Sequence, residues 1–206
     1  MTKKIKAVIW DMGGVILRTS GEDSRLEMAK EFQVPADTLY KLVFDSPSAE
    51  KATVGLISES DHWNFVADNL GVSRDRVQEL QDRFWAGDTI DKQLVEFIKS
   101  LNKSYKTGLL SNAWSGARQS LDQRIPIGIV FQYSMFSCEV RLRKPDAKIY
   151  HRMLELMEVK ADEAIFVDDF SENIAGANAV GIHGVQFFST AQAIADVNQI
   201  LSSLND

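Results

Sequence analysis

The feature that most constrains the fold is a set of five short runs in which apolar and β-branched residues dominate. Runs of this length that lack a polar face are typical of strands buried on both sides of a parallel sheet. The five predicted strands are Ile5–Trp10, Lys106–Leu110, Tyr133–Phe136, Ala164–Val167 and Gly184–Phe187.

From the second predicted strand onward, stretches with a helical spacing of apolar residues alternate with the strands. These predicted helices are Ser115–Gln123, Asp146–Met157, Ser171–Ala179 and Ala191–Leu204. An alternation of strands and helices favours a doubly wound parallel sheet with helices on both faces. We therefore predict an α/β fold of that class.

The segment from Thr19 to Ala86 interrupts this alternation and has almost no strand signal. We predict several helices within it: over Ser20–Gln33, from Asp37, over Ile57–Leu70 and over Ser73–Trp85. In the third of these helices, Trp63, Val66, Ala67 and Leu70 share one face. Gly71 follows that helix as its C-cap.

This helical block follows the first strand and so divides the chain into two predicted domains. Residues 1–18 and 87–206 would form the α/β core, and residues 19–86 would form a small helical cap over the ends of the strands. Gly21 and Gly87 lie near the two ends of the block and would allow the cap to close over a site. The alternative is an independent helical domain with no role in binding.

Composition narrows the classes of partner. The chain has 206 residues and a net charge of −6, which argues against nucleic acid or an anionic membrane as its partner. The apolar run at the N-terminus is too short for a signal peptide, and no run approaches the ~20 apolar residues of a membrane span. Cys138 is the single cysteine, so no intrachain disulfide can form and a reducing compartment is expected. We expect a cytoplasmic protein, and the oligomeric state is unknown from the sequence.

Four short polar motifs follow predicted strands, at the edge where open parallel sheets bind ligands. Asp11 comes directly after the first strand and precedes Gly13 and Gly14, which let the backbone approach a ligand closely. The alternative for this motif is an ordinary turn. Ser111 and Asn112 follow the second strand and can donate to phosphate oxygens. Their alternative role is to cap the next helix.

The other two motifs carry opposite charges. Lys144 precedes Pro145, which suits the first position of a helix, so the lysine would lie at a helix N-terminus that favours anions. The alternative is a solvated lysine. Asp168 and Asp169 follow the fourth strand, and two adjacent buried acids are costly unless they bind a cation or basic groups. Together with Asp11 they predict a site of hard oxygen ligands for Mg²⁺. The alternative for this pair is a capping role.

The order and spacing of these four motifs resemble those of the haloacid dehalogenase-like (HAD) superfamily over essentially the whole chain. The stretches LLSNAW, FSCEVRLRKPDAKIY and FVDDFSENIAGANAVGI resemble the phosphatase branch that includes the N-terminal domain of soluble epoxide hydrolases. This resemblance implies a Rossmann-like core with an inserted cap. It also implies a Mg²⁺-dependent phosphohydrolase that acts on a small phosphorylated substrate through an aspartyl-phosphate intermediate.

The resemblance further implies a nucleophile and a metal site. Asp11 would attack phosphorus and form the covalent intermediate. Asp11, the backbone carbonyl of Gly13 and Asp169 would hold Mg²⁺. Asp168 would support the metal or pair with Lys144.

The phosphoryl group would be bound by the remaining motifs. Ser111 and Asn112 would bind its oxygens, and Lys144 would neutralise the growing charge. Physical chemistry agrees with this scheme, because an anionic nucleophile cannot approach an anionic phosphate unless cations screen both. Trp114 and Arg118 follow the second motif and either line the pocket or pack against a helix face.

The chain departs from the family pattern at Gly13. Most phosphatases of this family carry a second aspartate at that position, which protonates the leaving group. Two alternatives therefore stay open. One is a 2-haloacid dehalogenase, whose halide needs no proton but whose branch lacks the acids found here at Asp168 and Asp169. The other is a catalytically weak or non-enzymatic binding protein with the same fold.

Overall fold

A five-stranded parallel sheet forms the centre of the protein. The computed structural model describes residues 4–19 and 23–205, so the predicted hinge at Gly21 lies outside the described residues. The sheet contains β1 (Ala7–Trp10), β4 (Lys106–Ser111), β5 (Tyr133–Phe136), β6 (Ala164–Asp168) and β7 (His183–Gln186), in the order β5-β4-β1-β6-β7. The predicted α/β fold with a doubly wound parallel sheet is confirmed.

Helices cover both faces of this sheet. The side chains of its central strands are apolar on both faces, so each face is buried against helices. In β1, Val8 and Trp10 pack on one face, while Ala7 and Ile9 pack on the other. The first face is covered by α6 (Lys92–Leu101), α7 (Ala117–Arg124), α8 (Ile127–Val130) and α12 (Thr190–Asn205). The second face is covered by α10 (Ala147–Met157) and α11 (Ser171–Ala179). Helix α6 was not predicted, although Leu94, Val95, Ile98 and Leu101 are buried at helical spacing along it.

The segment after β1 folds into a block of short helices with a core of its own. Its elements are α1 (Asp23–Glu31), α2 (Ala36–Tyr40), a π-helix (Lys41–Asp45), α3 (Pro47–Thr53), α4 (Glu59–Leu70), a 3₁₀ turn (Arg74–Arg76) and α5 (Val77–Trp85). The predicted face of α4 is buried at Trp63, Val66 and Ala67, and Gly71 ends the helix in the left-handed conformation with φ 68°. This block lies where the sequence predicts a cap, and its action as a cap remains a proposal.

A two-stranded antiparallel ribbon joins the helical block to the core. It consists of β2 (Leu17–Thr19) and β3 (Asp88–Ile90). This ribbon was not predicted, because strands of three residues are too short to show a period. Both connections of the block therefore run through one hydrogen-bonded ribbon.

A further short helix in the core, α9 (Ser137–Val140), follows β5. Within the part of the chain that the structure describes, no helix combines the length and the apolar character needed to cross a bilayer.

The predicted position of Pro145 at the start of a helix is wrong. Helix α10 begins two residues later, at Ala147, and Asp146 is its N-cap, because its carboxylate accepts a hydrogen bond from the backbone N–H of Lys148. Pro145 instead lies in a turn, after a cis Lys144–Pro145 peptide bond. Lys144 is therefore placed by a turn and not by a helix N-terminus.

Candidate active site

The four motifs converge at the carboxyl end of the central strands. Asp11 directly follows β1, and Asp168 is the last residue of β6, which pairs with β1 in parallel register. Carboxylate oxygens of Asp11, Asp168 and Asp169 lie within 4.8 Å of one another. Adjacent parallel strands end at the same edge, so their following residues are brought together by the sheet itself.

Lys144 is the cation at the centre of this cluster. Its Nζ lies 2.7 Å from Asp11 Oδ1 and 2.7 Å from Asp168 Oδ2, and it donates to the carbonyl oxygen of Leu110 at 3.0 Å. Only 2% of the lysine is exposed, which rules out the solvated alternative. Burial alone would lower the pKa of Lys144, but the two carboxylates outweigh burial and raise the pKa above its usual value.

Asp168 is fully engaged by protein groups. Besides the lysine, it accepts hydrogen bonds from Asn173 Nδ2 at 3.0 and 3.1 Å and from the backbone N–H of Phe170 at 2.8 Å. Of the two roles that the sequence left open for Asp168, this geometry favours pairing with Lys144. Asn173 lies in the first turn of α11, five residues after Asp168.

Asp11 is buried beside both a lysine and a second carboxylate. Burial raises the pKa of Asp11 from 3.8 to about 7; Lys144 opposes this rise and Asp168 adds to it. A carboxylate in this state ionises readily when further positive charge arrives, because a nearby cation favours the charged form.

Asp169 is the member of the cluster that has an unpartnered carboxylate oxygen. Its Oδ1 is buried and has no hydrogen-bond partner. The pKa of Asp169 is raised, first by burial and then by the neighbouring charge of Asp168. Gly14 makes room for this carboxylate: its φ is +74°, and a Cβ there would lie 2.1 Å from Asp169 Oδ2. An orphaned carboxylate oxygen beside Asp11 fits a hard divalent cation, and on this observation the residues present suit Mg²⁺.

The second motif supports the loop that carries Lys144. Ser111 is the buried last residue of β4, the neighbour of β1. The side chain of Asn112 accepts from the backbone N–H of Lys144 at 2.9 Å and donates to its carbonyl oxygen at 3.0 Å. Neither residue caps a helix, because α7 begins at Ala117 with Gly116 as its N-cap. Asn112 thus fixes the loop that carries Lys144, a role that sequence reasoning missed.

Gly13 lies at the open side of the cluster. It is exposed, and a Cβ built on it would meet no atom within 4 Å. Unlike Gly14, it does not have a positive φ. The position therefore has room for a side chain, although this chain places none there.

The loop after β4 also joins the core to the helical block. The indole N–H of Trp114 donates to Thr53 Oγ1 at 3.2 Å, and its ring lies 4.4 Å from that of His62. The carboxylate of Glu59 accepts from the backbone N–H of Gly116 at 2.8 Å. The helical block thus contacts the same edge of the sheet that carries the acidic cluster, as the cap hypothesis requires.

The chain is similar to known proteins in sequence and in fold. The model of haloacid dehalogenase-like hydrolases matches residues 5–181. Bifunctional epoxide hydrolase 2 of Mus musculus is 25% identical over 129 residues, which cover 60% of this chain and 23% of that protein. The chain thus spans about a quarter of the length of that relative. D-ribitol-5-phosphate phosphatase of Bacteroides thetaiotaomicron is 25% identical over 207 residues, covering 97% of this chain and 100% of that protein.

A solved structure shows the same fold. It is a HAD family enzyme from Bacteroides thetaiotaomicron in complex with magnesium and inorganic phosphate. The TM-score is 0.74 at 21% identity, and the match covers 88% of this chain and 93% of that one.

Proposed function

The chain belongs to the haloacid dehalogenase-like hydrolases, and we propose that it is a Mg²⁺-dependent phosphohydrolase. Its substrate would be a small phosphorylated metabolite, and its intermediate an aspartyl-phosphate on Asp11. The net charge of −6 and the single cysteine support a small-molecule substrate and a cytoplasmic location over nucleic acid or a membrane.

One observation carries this proposal: the buried cluster contains three carboxylates and one lysine. Buried carboxylates that lack counter-charge are costly unless a cation or protons neutralise them. Asp168 is satisfied by protein groups, whereas Asp169 Oδ1 has no partner. The deficit of positive charge therefore lies beside Asp11, where a metal and a phosphoryl group would meet.

Mg²⁺ would be held by Asp11, Asp169 and the backbone carbonyl of Gly13, and when bound it would supply the positive charge that keeps Asp11 ionised and screens the phosphate. An Asp11 oxygen attacks phosphorus, and the bond from phosphorus to the leaving oxygen breaks. The leaving oxygen takes the electron pair. Lys144, held in place by Asp168 and Asn112, stabilises the negative charge on the reacting groups.

Water then completes the reaction. It attacks the phosphorus of the aspartyl-phosphate, the bond between phosphorus and the Asp11 oxygen breaks, and free phosphate is released. Because Gly13 has no side chain to donate a proton, the leaving group departs as an anion or takes its proton from water. This favours substrates whose leaving groups are stable anions.

The cluster also separates the rival functions. The orphaned acid at Asp169 favours a phosphatase over a dehalogenase, whose branch lacks that acid. A binding protein of the same fold would hold the metal without turnover. A panel of phosphorylated metabolites, assayed with Mg²⁺ and with EDTA, tests the proposal. We expect turnover only with Mg²⁺, and a loss of at least about 10³-fold in Asp11→Asn.

The Asp11→Asn variant should stay folded, because Lys144 keeps its pair with Asp168. Circular dichroism and thermal unfolding provide this control. Near-native phosphatase activity in Asp11→Asn, or equal activity in EDTA, would contradict the proposal.

A further inference from the structure

The helical block contacts the core at a second place besides the ribbon that carries its two connections. This place is the connection between α3 and α4, residues 53–59, which we call the dock. It lies against two loops of the core. One is the loop after β4, residues 112–116, which we call the β4 loop, and the other begins α9 after β5.

Glu59 makes the strongest contact between the dock and the β4 loop. Its backbone N–H donates to Ser115 Oγ at 3.0 Å, and its Oε2 accepts from the backbone N–H of Gly116 at 2.8 Å. Its other carboxylate oxygen, Oε1, accepts from Gln81 Nε2 of α5 at 2.7 Å. Hydrogen bonds to an ionised acceptor are stronger than neutral ones. The helical block therefore holds this carboxylate in place against the β4 loop.

The two surfaces of the dock fit each other closely because each contributes a glycine. A Cβ on Gly116 of the core would lie 2.4 Å from Glu59 Oε2. A Cβ on Gly55 of the helical block, whose φ is +66°, would lie 2.2 Å from the backbone carbonyl oxygen of Cys138. Neither approach is possible for a residue with a side chain. The contact is thus complementary from both sides.

Ser137 ties the start of the β4 loop to the same dock. Its hydroxyl is fully buried, accepts from the backbone N–H of Ala113 at 2.9 Å and donates to the carbonyl oxygen of Thr53 at 2.6 Å. Together with the Glu59 contact, this hydroxyl holds the β4 loop at both ends. Both ends are therefore fixed relative to the helical block.

The β4 loop is continuous with residues of the candidate active site. It follows Ser111, the last residue of β4, and begins with Asn112. The Asn112 side chain in turn forms two hydrogen bonds with the backbone of Lys144. A path of direct contacts thus runs from Glu59 of the helical block, through the β4 loop, to the lysine of the acidic cluster.

We propose that Glu59 is a positioning residue that holds the β4 loop so that Ser111, Asn112 and Lys144 meet the phosphoryl group. Separation of the dock loosens these groups and weakens phosphate binding. Asp11 and Asp169 follow other strands, β1 and β6, so Mg²⁺ binding does not depend on the dock. This inference rests on the proposed phosphatase function.

The test measures the dissociation constant of inorganic phosphate by calorimetry, with Mg²⁺ present, in native protein and in Glu59→Ala and Gly116→Ala. Alanine suits the backbone at Gly116, whose φ is −85°, but its Cβ displaces the Glu59 carboxylate. We expect the dissociation constant to rise about tenfold in each variant, because binding must then order a loosened loop. The Mg²⁺-dependent rise in thermal midpoint should stay as in native protein, whereas general damage to the fold would reduce both.

A double variant tests whether both changes act through one contact. Glu59→Ala combined with Gly116→Ala should bind phosphate as weakly as either single variant, since the contact is already lost. Glu59→Gln should bind nearly as tightly as native protein, because its amide oxygen can still accept from the Gly116 N–H. A loss of about 100-fold in the double variant would mean two independent defects and would overturn the inference.

Two matched controls change the same residue types elsewhere. Glu79→Ala removes a carboxylate of the helical block that pairs with Arg76 of the same block. Gly128→Ala adds a Cβ that meets no atom within 4 Å. Both should leave the phosphate dissociation constant unchanged. A native dissociation constant in both Glu59→Ala and Gly116→Ala would overturn the role of Glu59 and leave the phosphatase function standing.

Hydrogen exchange separates failure of the inference from failure of the function. If native protein turns over no phosphate monoester, the phosphatase proposal fails, but exchange at the Lys144 backbone N–H still reports on the path from the dock. This N–H donates to Asn112 Oδ1 at 2.9 Å. Faster exchange there in both Glu59→Ala and Gly116→Ala supports positioning by the dock, and exchange at the native rate overturns it.

Discussion

Two groups of buried charges in this protein differ in whether their positive and negative charges balance. At the end of β1 and β6, Asp11, Asp168 and Asp169 surround one lysine, and one carboxylate oxygen has no partner. At the base of the helical block, Arg25 pairs with Asp88 at 2.8 Å, with both side chains 6% exposed. The first group has a deficit of positive charge, and the second is balanced.

The balanced group is closed by further contacts. Arg25 also donates to the carbonyl oxygen of Phe84 at 3.0 Å and to the Tyr40 hydroxyl at 3.4 Å, and it stacks over the Phe84 ring at 4.4 Å. Thr19 donates to Asp88 at 2.7 Å. Such a group joins the ribbon to the helical block and offers nothing to a ligand.

Asp91, which directly follows the same ribbon, is a buried carboxylate whose pKa shifts in the opposite direction from that of Asp169. It pairs with Arg18 and accepts from Thr190 and from the backbone N–H of Leu94. Burial would raise the pKa of Asp91, but these partners outweigh it and hold the pKa below its usual value, whereas the pKa of Asp169 is raised. Burial alone therefore does not raise the pKa of a carboxyl group, because partners that favour its charged form can outweigh burial.

The largest expected effect is a loss of stability in the balanced group formed by Arg25 and Asp88. Arg25→Gln leaves Asp88 buried without its cation, which typically costs about 3–5 kcal/mol. The thermal midpoint should fall by about 10 °C. Arg74→Gln is the control, because its pair with Asp68 is exposed and contributes at most about 1 kcal/mol. Equal losses in the two variants would show that the buried pair contributes no more to stability than the exposed one.

The second prediction concerns the acidic cluster, to which a substitution at Gly13 can add a fourth carboxylate. Gly13→Asp fills an open position and supplies the missing general acid, which typically contributes at least about 10²-fold. Single-turnover rates should rise for alkyl phosphates and change little for aryl phosphates. If native protein cleaves alkyl and aryl phosphates at equal single-turnover rates, another residue supplies the proton and Gly13 is not a missing acid.

A third prediction concerns the metal. At about 100 times its dissociation constant, Mg²⁺ should stabilise native protein by about 2.7 kcal/mol, and a thermal scan should show a shift of several degrees. The shift should vanish in Asp169→Asn. Asp91→Asn is the matched change at a buried carboxylate that is paired with Arg18 and Thr190. It should lower the midpoint without Mg²⁺ but keep the shift. A shift of the same size in Asp169→Asn would exclude Asp169 as a ligand.

The smallest expected effect is a pH dependence of the stabilisation by Mg²⁺. The folded-state pKa of Asp11 is about 7, above the value of 3.8 for a free carboxyl. Folded protein therefore holds a proton that the unfolded chain releases, and the stability without metal falls as pH rises between these two values. Since Mg²⁺ needs the ionised carboxylate, its stabilisation should grow with pH up to about 7, by at most about 1.4 kcal/mol per unit. A Mg²⁺ shift that is flat from pH 5.5 to 8 would contradict this.

Much of the core could be predicted because its signals are local. The observed strand Tyr133–Phe136 and helix Ser171–Ala179 match their predictions at both ends. Short elements escaped prediction: β2 and β3 have three residues each, too few for a period to show. Pro145 was misplaced because the sequence pattern of a helix start does not distinguish the first helical residue from a turn before it.

The sequence by itself determined which residues lie at the ends of buried strands. An apolar run and the polar residue that ends it are adjacent in the chain, so this signal is local. The tertiary structure alone decided that Asp168 pairs with Lys144, that Asn112 holds the lysine loop, and that Asp169 Oδ1 has no partner. These contacts join residues far apart in the chain. They depend on the strand order β5-β4-β1-β6-β7, which brings separate loops to one edge and which no local pattern contains.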